Sequence, residues 1–246
     1  MGQRRISRAL SAVFDAMGYT VRRKRPPSWG SDAFLDQERW LRDAPVRVVF
    51  DVGANVGDTV HRYRALFPAA TIYAFEPFEE SHRRLAERFA ADPQVRPQHA
   101  AVTNATGTRA LFVNAVSQTN SLLPLNPDEI DRARASSEHL DRTVTVPAVT
   151  LDAFCSRERV DGIDLLKMDI QGGEGMALAG ASSLLSRKAI RLLYLEVLFA
   201  ELYKGQASFC DLVRVLDRHG YQTAGLYNLV IDERGLGWAD AIFRPR

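Results

Sequence analysis

The sequence predicts an α/β protein built on a mostly parallel β-sheet. From residue 46 onward, short β-branched or aromatic runs alternate with helix-length amphipathic patterns, as strands joined by crossover helices do. The first of these runs passes through a glycine turn straight into a helical pattern, Val48 to Tyr63, and such a turn opens nucleotide-binding sheets. With 246 residues, 46% of them hydrophobic, the chain can bury one sizeable core and is short for two.

The elements follow in order. Ile6, Leu10, Val13, Phe14 and Met17 are spaced for one helical face, ahead of the basic stretch Arg22 to Arg25 and Pro26 and Pro27. A second short helix is expected over 33–43, with Phe34 and Trp40 among its apolar positions, and Pro45 marks a boundary. Residues 1–45 are thus read as an N-terminal helical extension and 46–246 as the main domain. Its strands are expected at Arg47 to Val52, Thr71 to Glu76, Val95 to Ala101, Arg109 to Asn114, Leu165 to Ile170, Leu192 to Val197, Tyr221 to Tyr227 and Ala239 to Phe243. Helices are expected at 57–66, 79–91, 173–186 and 206–219. The polar stretch Val116 to Val144 is too long for an ordinary connection and reads as an insertion loop beside the active face.

Three segments carry the chemistry. Asp51, Gly53 and Gly57 form a DxGxxxG turn after the first strand, with Asn55 inside it. A dinucleotide fingerprint would place glycine where Asp51 stands. An acid there opposes a diphosphate and suits the cationic sulfonium and amino group of S-adenosylmethionine. Next, Phe75, Glu76 and Pro77 end the second strand about 25 residues later, where such folds place an acid for the ribose hydroxyls. Pro77 turns the chain away. The third segment, Asp164 to Gly180, reads DLLKMDIQGGEGMALAG. It puts Asp169 at a strand end, near the transferred methyl, and Glu174 in the first turn of a helix, where the macrodipole favours a carboxylate.

Lys167 lies in an apolar run and is read as the partner of a carboxylate. Glu196 ends another hydrophobic strand with an acid. Among the five histidines, His139 in the polar insertion is the one expected to be able to reach a pocket, since His82 and His219 fall in helical, arginine-flanked surfaces. The catalytic candidates are therefore Asp169, Glu174, Glu196 and His139, with Asp169 first as general base. Asp169, Glu174 and Glu196 could collect a divalent cation beside a sugar diol, but they match no dedicated metal motif, so no metal site is predicted.

These motifs resemble the FkbM family of methyltransferases, through FDVGANVGDT, AFEP, LLKMDIQGGEGMALAGA and LYLEV. The KxDIQGxE stretch is the most specific of them, and the resemblance spans residues 46 to 230. It implies a class I methyltransferase fold, a Rossmann-like three-layer sandwich whose mostly parallel seven-stranded sheet has an antiparallel edge strand. It also implies O-methylation of a sugar, glycolipid or secondary metabolite. Carried over by position, Asp51, Gly53, Asn55 and Gly57 would line the methionine portion of the cofactor, Glu76 the ribose, and Asp169 and Glu174 the methyl-transfer end. Gly173 and Gly175 flank Glu174 where the family more often has an alanine and a larger apolar residue.

Composition narrows the partners. A formal charge of +2 and a pI near 8.6 give no field that would favour nucleic acid, so a small-molecule or glycan hydroxyl acceptor is expected. Cys155 and Cys210 form neither a CxxC nor a zinc spacing. No apolar run reaches membrane-span length and no signal peptide is visible, which points to a cytoplasmic protein. The N-terminal stripe suits a homodimer contact. The rival readings are a methyltransferase acting on nucleic-acid or protein nitrogen, an NAD-dependent oxidoreductase, and a cofactor-binding module without catalysis.

Overall fold

A computed structural model describes residues 17, 28–126, 142–233 and 235–246. The main sheet contains β1 (Val48–Val52), β2 (Thr71–Phe75), β3 (Val95–Gln98), β7 (Ile163–Met168), β8 (Ile190–Leu198), β9 (Tyr221–Asp232) and β10 (Gly235–Pro245), in the order β3-β2-β1-β7-β8-β10-β9. Strands β3, β2, β1, β7 and β8 are parallel. β10 runs antiparallel to β8 and to β9, so an antiparallel hairpin closes that end of the sheet. A smaller sheet, in the order β4-β6-β5, joins β4 (Ala101–Val102), β5 (Gly107–Val113) and β6 (Arg142–Val149).

Strand alternation divides the core into two layers, because successive side chains point to opposite faces. Phe50, Val52, Leu166, Met168, Leu193 and Leu195 pack against α4 (Leu151–Glu158), α5 (Glu174–Ala179), α6 (Ser182–Ser186) and α7 (Phe209–Arg218). Val49, Ile72, Leu165, Leu192 and Tyr194 face α1 (Ala33–Leu41), α2 (Asp58–Leu66) and α3 (Glu79–Arg88). The helices begin where their caps allow. Asp32 accepts from the backbone N–H groups of Phe34 and Leu35 at the start of α1, and Ser208 and Asp211 form a capping box on α7.

Some expected elements differ. The strand expected over 95–101 divides, with β3 in the main sheet and β4 in the smaller one. The 173–186 helix breaks at Gly180, where a Cβ would lie 2.1 Å from the Thr103 carbonyl oxygen. The insertion ends before residue 142, because Arg142–Val149 alternates between exposed and buried positions as β6. α1 puts Ala33 and Leu41 into the same core layer as Val49 and Leu192. The stripe Ile6 to Phe14 lies outside the described residues.

Candidate active site

An open cleft lies at the C-terminal ends of β1, β2 and β7, where parallel α/β sheets bind ligands. Its walls include Gly53 and Asn55 from the first turn, Glu76 and Pro77 after β2, and Asp169 and Gln171 after β7. Ser117, Asn120 and Ser121 form a roof from the start of the expected insertion. The smaller sheet holds that roof in place, since Ser121 bridges to Phe112 of β5 and Leu122 packs against the cluster of Ala101, Leu111, Val113 and Val146.

Glu76 is buried, and each of its oxygens accepts one backbone N–H: Oε2 from Asn55 at 2.9 Å and Oε1 from Phe78 at 2.8 Å. A carboxylate has about four acceptor positions, so both oxygens keep capacity for ligand donors. Burial pushes its pKa up to about 7, against the two N–H groups that lower it. Asn120 adds a second polar handle. Its Oδ1 accepts from the Asn114 N–H at 2.8 Å, while its buried Nδ2 has no hydrogen-bond partner among the described residues.

The glycines serve packing more than ligand approach. Gly53 has φ +79°, and a Cβ there would lie 1.9 Å from the Asp169 carbonyl oxygen, so glycine lets the ends of β1 and β7 close together. Gly57, the α2 N-cap at φ +89°, would bring a Cβ within 2.5 Å of the Phe89 ring. It does not line the cleft.

Asp51 occupies a different place from the one its motif suggests. It is fully buried on the α1–α3 side of β1 and outside the cleft lining. Lys167, its register partner on β7, approaches Asp51 Oδ1 to 3.0 Å and donates to the Gly53 carbonyl at 3.1 Å. Burial opposes the Lys167 charge, but Asp51 and Asp169 outweigh it and hold the ammonium's pKa above its ordinary range. The acid that meets the cleft at the start of α2 is Asp58, exposed and paired with Arg88 at 2.6 Å. It stands where a diphosphate would seek the helix N-terminus.

At the other end, Asp169 lines the cleft with its side chain 43% exposed. Its Oδ1 accepts from Gln171 Nε2 at 2.9 Å, and its Oδ2 lies 3.9 Å from Lys167 Nζ. The same Gln171 Nε2 donates to Glu196 Oε2 at 2.8 Å, and Tyr203 OH donates to Gln171 Oε1 at 2.8 Å. Glu196 therefore sits behind Gln171 and not on the cleft wall. Burial, then Asp169 and Glu174, raise its pKa well above the usual carboxylate range. Glu174 is likewise off the wall. It is buried beneath the turn, where its Oε1 accepts the Ile170 N–H at 2.8 Å and burial pushes its pKa up to about 7. Its contact closes the DIQG turn. Gly175 beside it lets Ala207 approach, since a Cβ would stand 2.7 Å from the Ala207 Cβ.

Of the candidate residues, the structure gathers Gly53, Asn55, Glu76, Pro77 and Asp169 around one cleft. Asp51, Gly57, Glu174 and Glu196 support it from behind, and His139 lies outside the described residues. Gln171, Tyr203, Asn120 and Ser121 were not among the sequence candidates. Gln171 stood inside the MDIQ motif, but nothing in the sequence pairs it with Tyr203. Among the described residues, no group of three or more His, Cys, Asp or Glu side chains is arranged to hold a metal ion, and no helix is long and apolar enough to cross a membrane.

Comparison with known proteins bears on this geometry. A family model described as the methyltransferase FkbM domain matches residues 51–223. A relative named 2-O-methyltransferase NoeI, from Sinorhizobium fredii, is 28% identical over 184 residues, which are 68% of this chain and 69% of that protein. Among solved structures, a precorrin-6y C5,15-methyltransferase from Geobacter metallireducens aligns with 93% of each chain at 12% identity and a TM-score of 0.44. An rRNA methylase from Streptococcus thermophilus aligns over 92% of this chain and 100% of its own, at 12% identity and a TM-score of 0.46.

Proposed function

This chain belongs to the FkbM methyltransferase family, and from that premise we propose that it transfers a methyl group from S-adenosylmethionine to a hydroxyl oxygen of a sugar or small secondary metabolite. The observation that carries the cofactor reading is the pairing of Glu76 and Asp169 across one cleft. Two backbone N–H groups fix the Glu76 carboxylate, which then accepts from the two vicinal ribose hydroxyls. Asn120 Nδ2 supplies a donor for a ligand acceptor atom. Asp169 and Gly53 border the methyl end, and Asn55 and Pro77 complete the walls. The sugar-like acceptor is supported by the relative whose name specifies 2-O-methylation.

Bound S-adenosylmethionine supplies an electrophilic methyl group on a positively charged sulfur. The protein's part is alignment, which contributes most when reacting groups are held in one geometry. Asp169 receives the acceptor hydroxyl's proton on a carboxylate oxygen and offers its charge to the cationic end of the cofactor. Glu174 and Gln171 hold the turn that carries Asp169. Asp51 serves this end indirectly, by keeping Lys167 charged beneath the glycine turn.

The test is methyl transfer from isotope-labelled S-adenosylmethionine to a panel of methyl glycosides, small phenols and amines, with wild type and Asp169→Asn. Label recovered in a methyl ether, and transfer slowed about 10²-fold or more by Asp169→Asn, supports the reading. Label on nitrogen alone, or full activity in Asp169→Asn, overturns the acceptor or the base assignment respectively.

A further inference from the structure

Resting on the cofactor reading above, we propose that Gln171 is a positioning residue that sets the protein's preference for S-adenosylmethionine over S-adenosylhomocysteine, by holding the Asp169 carboxylate toward the cleft.

The geometry singles out this side chain. One amide nitrogen donates to both Asp169 Oδ1 and Glu196 Oε2, at 2.9 and 2.8 Å. The amide oxygen accepts from Tyr203 OH at 2.8 Å, which fixes which end of the amide faces the acids. The Gln171 backbone carbonyl accepts from Ser121 Oγ at 2.7 Å. Ser121 and Tyr203 are buried, so these anchors are shielded from water. The residue also has φ +54°, a left-handed conformation that a non-glycine residue keeps only where its surroundings enforce it.

The competing partner for Asp169 is Lys167. Its ammonium lies 3.9 Å from Asp169 Oδ2 and already pairs with Asp51 at 3.0 Å. Gln171 holds Oδ1 on the far side and resists a full swing of the carboxylate onto the ammonium. The charge left facing the cleft then favours a sulfonium over the neutral thioether of the product. A cofactor that loses its positive charge in the reaction is thereby held less tightly afterwards, which favours product release. Gln171 also ties the roof through Ser121, and Tyr203 OH lies within 3.2 Å of Thr119 O beside it. A merely structural role for Gln171 would weaken both ligands alike. A positioning role changes their ratio.

The experiment is calorimetric titration of the full chain with S-adenosylmethionine and with S-adenosylhomocysteine, for wild type, Gln171→Leu and Gln171→Met, with a thermal melt of each. The wild type is expected to bind S-adenosylmethionine more tightly, and Gln171→Leu to reduce that ratio by roughly fivefold to tenfold, the size of one partly exposed charge contact. Gln171→Met keeps the side chain's length, removes the bridging donor without adding charge, and gives the same loss if the leucine variant fails to fold. Adding either change to Asp169→Asn should alter the ratio no further. A ratio within about twofold of wild type in a folded variant overturns the proposal, since contacts of this strength shift affinity by more. Wild type binding neither ligand overturns the cofactor reading itself, a distinguishable result.

Discussion

Glu76→Gln separates the ribose-binding role of this side chain from its structural one. The carboxylate accepts the Asn55 N–H at 2.9 Å and the Phe78 N–H at 2.8 Å, one on each oxygen. A glutamine keeps the shape but must turn its NH₂ toward one of those donors, leaving a buried N–H unpaired at a cost of about 1–3 kcal/mol. On the ligand side, two hydroxyl donors lose a charged acceptor. At roughly 1.5–3 kcal/mol for a hydrogen bond to a charged group, losing the charge from both weakens cofactor binding by about 10²-fold or more. The pH dependence gives an independent reading. Burial raises the Glu76 pKa to about 7, and hydroxyl donors favour the ionised form, so affinity should rise with pH through that value. The ionised fraction falls from about nine-tenths near pH ~8 to about one-tenth near pH ~6, a loss of roughly tenfold in affinity. Calorimetry with S-adenosylmethionine at both pH values, on wild type and Glu76→Gln, measures the slope and its loss. A variant that keeps both wild-type affinity and wild-type slope, with its fold intact, would refute the ribose assignment.

Lys167→Met should destabilise the fold by about 3–5 kcal/mol, because it strands the buried Asp51 without its counter-charge. The double change Asp51→Asn with Lys167→Met should recover part of that loss in chemical denaturation, and a purely additive result would show the two sites to be uncoupled. Gly53→Ala forces a left-handed alanine and a Cβ against the Asp169 carbonyl; the backbone conformation alone costs about 1–3 kcal/mol, so a melting temperature equal to wild type would contradict the described turn. Gly175→Val should separate α5 from the chain at Ala207 and weaken cofactor binding through the DIQG turn, whereas unchanged affinity would show that α5 packing does not reach the cleft.

The parts of this fold that repeat a simple period were readable in the sequence. β1, β2, β7 and β8 are short apolar runs between turn signals, and the structure has them within a few residues of the expected bounds. The β9–β10 hairpin is longer than its apolar core suggests, because Leu229, Ile231, Leu236 and Trp238 stand exposed near its tip and give no inward-facing pattern. β6 was legible in hindsight from the alternation of Val144, Val146 and Ala148, but Pro147 and the polar residues before it disguised the strand. α4 offered Thr150 as an N-cap and Leu151, Phe154 and Cys155 as its buried face, over only two turns.

The site divides in the same way. Glu76 and Asp169 follow strand ends, so spacing places them where the structure has its cleft. Asp51 is expected at the cofactor from its motif, and its contact in the structure is Lys167 across the β1–β7 register, a pairing 116 positions apart in sequence that local pattern does not show. The Gln171–Tyr203 contact depends on how two loops meet, which local pattern does not encode.

A crystal structure with S-adenosylhomocysteine tests the central claim most directly. The account predicts both ribose hydroxyls on the Glu76 carboxylate and the sulfur at the Gly53 and Asp169 end of the cleft. Ligand bound outside this cleft, or a ribose turned away from Glu76, would contradict it.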